Sequence, residues 1–352
     1  MSRALRLHAF GLDNLALEPT PLPALGPADV HVRFHAAALN YRDLMVALGQ
    51  YNPKMHLPRI LGSDAAGEVL AIGPAVTLFK PGDRVCSLFF QDWLDGEIQP
   101  LTGKSALGGA IDGVFATERI LPETGLIHSP AHLSFEEAAT LPCAALTAWN
   151  ALVEQGRLRA GQTVLVQGTG GVSLFALQIA RMHAATVILT SSSDEKLDRG
   201  RRLGAHHTIN YKSTPDWDKA AQEFTAKALS ANVGVDHVVE VGGQGTIAKS
   251  LSVVRPAGHV HVIGVLSGTA PSAGPGREAP GLDVRSILTK SVHINGIYVG
   301  SRAMFHRMNA AISANHLKPV IDRVFPLSEA RGAFEYMQNG SHFGKIVLSL
   351  NS

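Results

Sequence analysis

The sequence predicts an α/β protein of two domains: a β-rich, barrel-like domain and a doubly wound parallel sheet. Three observations carry that prediction. The first third of the chain holds short strands between glycine and proline turns, the middle alternates strands with helices, and "VLVQGTGGVSLFALQIA" (164–180) joins an apolar run to a helix through glycines. At 352 residues the chain is long for one core and comfortable for two.

In the first domain, "DVHVRFHAAALN" alternates Val30, Val32 and Phe34 with His31, Arg33 and His35, the period of a half-buried strand. "AGEVLAIGPAV" and "KPGDRVCSLFF" continue with short strands, and residues 91 to 112 show little periodicity. Ser134 and Glu137 in "SFEEAATL" form a capping-box pattern that starts a helix. Beyond it "ATVILTSSS", "HTINY", "GVDHVVEVG", "HVHVIGVL" and "HINGIYVG" read as strands separated by helical segments, the pattern of a parallel sheet covered on both faces. A Gly/Pro-rich stretch, residues 267 to 281, reads as a mobile loop. The last fifty residues offer a helix, "AMFHRMNAAISANH", and a strand, "GKIVLSL", expected to return to the first domain. The domains expected are 1–130 with 303–352, and 131–302.

The glycine turn carries the first chemistry. The first N–H groups of a helix lack intrahelical partners and the helix dipole is positive there, so Gly168, Thr169, Gly170, Gly171 and Val172 would seat a pyrophosphate. Gly168 and Gly170 fit the first two places of the pattern G-x-G-x-x-G/A, and Ser173 fills the third, where a small residue is needed for packing.

Composition removes several function classes. Hydrophobic residues at 45% and charged residues at 17% describe an ordinary globular protein, and a net charge of +2 with no Lys/Arg-rich block gives nucleic acid no footing. No signal peptide and no membrane-length apolar run is present, and two cysteines, Cys86 and Cys143, suit a reducing compartment, so the expected location is the cytoplasm. The sixteen histidines are scattered, with no H-E-x-x-H helix and no metal-ligand spacing, and read as surface or structural residues.

The stretches "AAALNYRD", "LGSDAAGEVLAIGPAVTLFKPGDRV", "LPCAALTAWNAL", "VLVQGTGGVS", "SSSDEKLDRGRRLGAHHTINY" and "GSHFGKIVL" resemble the medium-chain dehydrogenase/reductase superfamily nearly end to end. Within it the chain is similar to the zinc-independent, quinone oxidoreductase-like branch. The resemblance implies a GroES-like first domain and a Rossmann second domain. The family's zinc enzymes hold the metal with cysteine, histidine and cysteine. Here the first two places are Asn40 in "LNYRD" and Ser63 in "GSD", with only Cys143 in "LPCAAL" matching. One thiolate cannot hold tetrahedral zinc, so no metal is expected, and Cys143 reads as a small buried apolar residue rather than a reactive thiol.

An NAD-binding sheet ends its second strand with an acidic residue, but Ser191 stands there in "ILTSSSDEK". A carboxylate would repel a 2′-phosphate, whereas Ser191, Ser192, Lys196 and Tyr211 offer hydroxyls and an ammonium, which favours NADP(H). The resemblance adds that Lys196 and Tyr211 match phosphate contacts. The competing reading makes Ser191 to Ser193 a helix cap, Lys196 solvated and Tyr211 a sheet aromatic, with Asp194 free to take the ribose.

Without a metal, hydride needs an acceptor that is already electron-poor, which points to a quinone, enone or enal. The resemblance places Asn40 near the nicotinamide ribose and substrate, Asp43 in support of that loop, Thr147 beside the cofactor and Lys345 toward the phosphates. A lysine at the start of a strand is otherwise a solvated edge charge. Tyr41 is the candidate proton donor, set against an aromatic packed under the site. Met45 stands where some relatives carry tyrosine. Val241, Gly242, Gly264, Val265 and Leu266 follow the fourth and fifth strands of the parallel sheet, at the carboxyl edge where ligands collect. Two alternatives stay open: an alcohol dehydrogenase with atypical zinc ligands such as Cys143 with Asp64, and a non-enzymatic NADPH-binding protein. "HINGIYVG" resembles the strand through which relatives pair their sheets, which implies a homodimer.

Overall fold

The computed structural model describes residues 2–228, 233–264, 266 and 284–351. Val265 and the Gly/Pro-rich stretch 267–281 lie outside the described residues. The chain divides into two compact units, Met1–Leu146 with Val299–Ser352, and Thr147–Tyr298. The divisions differ from those expected at 130/131 and 302/303. The helical run that Ser134 begins packs its first turns on the first unit: the Cys143 N–H reaches Asp64 and the Cys86 thiol reaches the Ala138 carbonyl. A change in periodicity marks where a helix begins, not which core it joins.

In the first unit the strand Asp29–Ala38 is central, pairing antiparallel with Asp64–Ile72, Glu118–Pro122 and Lys345–Ser349. Val30, Val32 and Phe34 are buried as the alternation requires, in a core with Val69, Phe115, Phe334 and Leu348. The carboxyl-terminal strand does return to this sheet. Sequence reading missed its parallel neighbour Ile321–Pro326, the helix Ala330–Gln338, and the hairpin of Ser2–Leu7 with Leu15–Thr20. Ala38 lies opposite both Asp64 and Val347, and the Leu39 N–H donates to the Ile346 carbonyl. Register alone therefore brings Asn40, Asp64 and Lys345 to one end of three adjacent strands.

The second unit is a six-stranded parallel sheet: Thr163–Gln167, Thr186–Ser191, His207–Asn210, Val235–Glu240, Val254–Val262 and His293–Gly296. Numbered along the chain, their spatial order is third, second, first, fourth, fifth, sixth. The order reverses between the first and fourth strands, where an open parallel sheet leaves a crevice at its carboxyl edge. All five residues of the first strand are buried, as expected of a strand covered on both faces.

The histidines are less scattered in space than in sequence. His237, His259 and His293 stack across the fourth, fifth and sixth strands at centroid spacings of 5.1 and 4.6 Å. His261 joins them through a 3.2 Å contact with His237 Nδ1, and burial pushes His237 down to about 4. Among the described residues no group of three or more His, Cys, Asp or Glu side chains is placed to hold a metal ion. No helix among them is long and apolar enough to cross a membrane.

Candidate active site

Each unit gathers its own part of the expected site. In the first unit Asn40 stands directly before a helix, Tyr41–Ala47, where sequence reading placed a loop. The reason is legible in "NYRD": Asp43 at the third helical position accepts the Asn40 N–H at 2.8 Å, the return half of a capping box. The Asn40 side-chain oxygen is engaged elsewhere. It accepts from Lys345 Nζ at 2.7 Å, and the same ammonium donates to the Leu39 carbonyl at 2.6 Å.

Lys345 is thus neither a solvated edge charge nor available as a free phosphate ligand, since it is 3% exposed and committed to Asn40 and Leu39. The chain of contacts continues from Asn40 Nδ2 to Ser63 Oγ at 3.4 Å and from Ser63 Oγ to Asp64 Oδ1 at 2.6 Å. Asp64 Oδ2 accepts the Cys143 N–H at 3.0 Å from a wide helical turn, Leu141–Ala145. Ser87 Oγ fixes the far side by donating to the Ser63 carbonyl at 2.7 Å. Lys345, Asn40, Ser63 and Asp64 form one buried polar chain that ends at the partly buried Cys143 backbone.

Burial dominates the electrostatics. It raises Asp64 above the usual carboxylate range, against the opposing pull of Lys345 and the Ser63 hydrogen bond. It raises Asp43 to about 6, opposed by Arg42, whose guanidinium lies 3.4 Å away. Burial pushes the Cys143 thiol up to about 12, although the residue is only partly buried, less enclosed than expected. These donors are a poor match to zinc: an amide oxygen already held by lysine, a carboxylate already accepting twice, a serine and a single thiol. Tyr41 is 42% exposed, which corrects the picture of an aromatic packed beneath the site.

In the second unit Gly168 follows the first strand at φ +71°, a left-handed conformation that favours glycine. Gly170 precedes the helix Gly171–Met182 without a side-chain cap, so the first helical N–H groups are left for a ligand. A Cβ on Gly170 would meet nothing within 4 Å, which leaves backbone open to a pyrophosphate. Ser173 serves as the third small residue because its buried hydroxyl donates to the Gln167 carbonyl at 2.7 Å. The turn fits a dinucleotide.

Ser191 ends the second strand and is buried, with Ser192 following it. The capping role falls to Ser193, whose hydroxyl accepts the Lys196 N–H at 3.4 Å. Asp194 is held by the Asn210 amide at 2.8 Å, and the Tyr211 N–H donates to the Ser191 carbonyl at 3.0 Å with its ring 41% exposed. Ser191, Ser192, Lys196 and Tyr211 therefore cluster at the ends of the second and third strands. Thr147 is buried. At the fourth and fifth strands, a Cβ on Gly264 would fall 2.2 Å from the Val241 carbonyl, so glycine lets the two strand ends close together. Gly242 lies on this edge too, and Leu266 is exposed.

Sequence reading missed Glu240, which ends the fourth strand and is fully buried. Its signal was an acid closing an apolar strand directly before "VGG".

Comparison with known proteins decides the family. Residues 26–131 match the model described as "Alcohol dehydrogenase GroES-like domain", and residues 171–314 the one described as "Zinc-binding dehydrogenase". A zinc-type alcohol dehydrogenase-like protein of Schizosaccharomyces pombe is 43% identical over 346 residues, covering 97% of this chain and 96% of its own. The chain is a medium-chain dehydrogenase/reductase. A 2-haloacrylate reductase of a Burkholderia species is 32% identical over 351 residues, covering 96% of each protein. A crystal structure described as an NAD-dependent alcohol dehydrogenase aligns with this medium-chain dehydrogenase/reductase at TM-score 0.86 and 34% identity, covering 99% of each chain. Membership makes the protein an oxidoreductase with a nicotinamide cofactor and a small-molecule substrate.

Asp43 supplies a test. Its folded value of about 6 lies above its ordinary 3.8, so its stabilising share is complete below pH 3.8 and is lost as pH rises toward 6. Asp43→Asn keeps an acceptor for the Asn40 N–H without the charge. Urea unfolding at pH 4 and pH 7 should show the variant gaining about 2–3 kcal/mol on the parent across that interval. An interval-independent difference would contradict the burial argument.

Proposed function

We propose that this protein is a zinc-independent, NADPH-dependent reductase that delivers hydride to a quinone or an α,β-unsaturated carbonyl. The observation that carries the reading is the polar chain Lys345–Asn40–Ser63–Asp64. In the family's zinc enzymes the places of Asn40 and Ser63 belong to metal ligands. Here those side chains are spent on one another and on a buried ammonium, so a Lewis acid has no donor set to occupy. A conjugated acceptor needs none, because its developing negative charge spreads onto an oxygen that hydrogen-bond donors can stabilise. The name of the 2-haloacrylate reductase describes such an acceptor.

When bound, NADPH supplies the hydride. The residues of this chain do the rest. Gly168 to Val172 bind the pyrophosphate at the helix start, Thr147 lies along the cofactor, and Val241, Gly242, Gly264 and Leu266 border its nicotinamide half. Ser191, Ser192, Lys196 and Tyr211 take the 2′-phosphate, and the hydrogen bond from Asn210 to Asp194 supports this by occupying the nearby carboxylate. Lys345 fixes Asn40 by its oxygen and Ser63 takes one hydrogen of the amide nitrogen, so that the second amide hydrogen is the donor for ribose or acceptor. Asp43 holds the Asn40 backbone, and the hydroxyl of the exposed Tyr41 is the proton donor.

The cofactor assignment is read by fluorescence titration. NADPH should bind at least about tenfold more tightly than NADH, and Lys196→Ala should erase most of that difference. Equal affinities in the parent protein would overturn it. For the chemistry, 1,4-benzoquinone, enones and enals should turn over with NADPH, simple alcohols should not with NADP+, and a chelator should leave the rate unchanged. Alcohol oxidation that a chelator abolishes would favour the atypical-zinc alternative. We also hold the protein to be a homodimer, because the edge strand His293–Gly296 pairs on one side only among the described residues and exposes Ile294 with the nearby Tyr298. Light scattering should give twice the chain mass.

A further inference from the structure

We propose that Glu240 is a positioning residue whose fixed charge biases the cofactor crevice toward the oxidised dinucleotide. The proposal rests on the cofactor reading above and adds a thermodynamic role for a residue outside it.

Glu240 ends the fourth strand, beside the reversal of strand order, and both its oxygens act as acceptors. Oε1 accepts the Gly242 N–H at 2.8 Å, the Gly243 N–H at 2.9 Å and the Thr246 hydroxyl at 2.5 Å. Oε2 accepts the Gln167 amide at 2.8 Å and the Ser250 hydroxyl. Gln167 is the last residue of the first strand, directly before Gly168, so one carboxylate ties together the two turns that border the crevice. All five partners are neutral. Among the described residues no lysine or arginine forms an ion pair with Glu240, and its negative charge is solvated by dipoles but not cancelled.

The phosphate-side residues sit at the second and third strands, which leaves the fourth and fifth for the nicotinamide half. The oxidised nicotinamide ring carries a positive charge that the reduced ring lacks. A fixed anion at that end of a low-dielectric crevice stabilises the oxidised ring and makes the bound reduced form a stronger hydride donor.

The test is the ratio of dissociation constants, Kd(NADP+)/Kd(NADPH), measured by fluorescence quenching and equilibrium dialysis without any acceptor. If NADH proves the preferred cofactor, the NAD+/NADH pair is used. Glu240→Gln should raise the ratio by roughly an order of magnitude, from the loss of one charge at effective dielectric about 20 to 40. A structural role alone would weaken both forms equally and leave the ratio where it was. Ser250→Ala removes one donor from the carboxylate and so changes the field it exerts, and the ratio should shift. Should Glu240→Gln not fold, Ser250→Ala decides alone: a shifted ratio supports the proposal, and an unchanged ratio overturns it. With both variants folded, an unchanged ratio in either overturns it. A parent protein that binds neither cofactor form would instead overturn the cofactor reading on which the proposal stands.

Discussion

The first unit is organised by the ammonium of Lys345, enclosed between the Leu39 carbonyl and the Asn40 side-chain oxygen. A buried charge is tolerated only when every hydrogen-bonding direction is met and an opposite charge lies near. Asp64 provides that opposite charge at one remove, through Asn40 and Ser63. Strand register makes the arrangement possible, since Asp29–Ala38 lies between the strands that carry Asp64 and Lys345. A one-residue slip on either side would turn one of the two charges to the opposite face.

The second unit solves a related problem with different means. Its sheet ends in turns whose backbone must remain available to a ligand, so they cannot be filled by their own side chains. Gly168 and Gly170 leave the backbone bare, and the support lies one layer below: Ser173 under the first turn, and Glu240 with Gln167 under the second. The two units therefore share a plan in which the groups expected to meet a ligand rest on buried polar groups hydrogen-bonded to one another.

Local patterns were legible in the sequence. The alternation of Val30, Val32 and Phe34, the Ser134–Glu137 cap and the glycine turn each depend on neighbours within a few positions, and each stands in the structure. The capping pattern at Asn40 and Asp43 is equally local, but the helix it starts, Tyr41–Ala47, is too short to show a helical period in the sequence. Long-range partnerships were not legible. Lys345 looks like an edge charge until its strand is placed against residues 36 to 38, and Glu240 gains its role from Gln167, seventy-three positions away. Val265 and the stretch 267–281 lie outside the described residues.

A stacked imidazole of the parallel sheet and a buried carboxyl of the first unit respond to acid in opposite senses. His237 is held near 4 against an ordinary 6.5, so below pH 6.5 protons are drawn to the unfolded chain and the second unit weakens. Asp43 shifts the other way, and the same acidification relieves its cost in the first unit. Mild acidity therefore costs stability at His237 and restores it at Asp43.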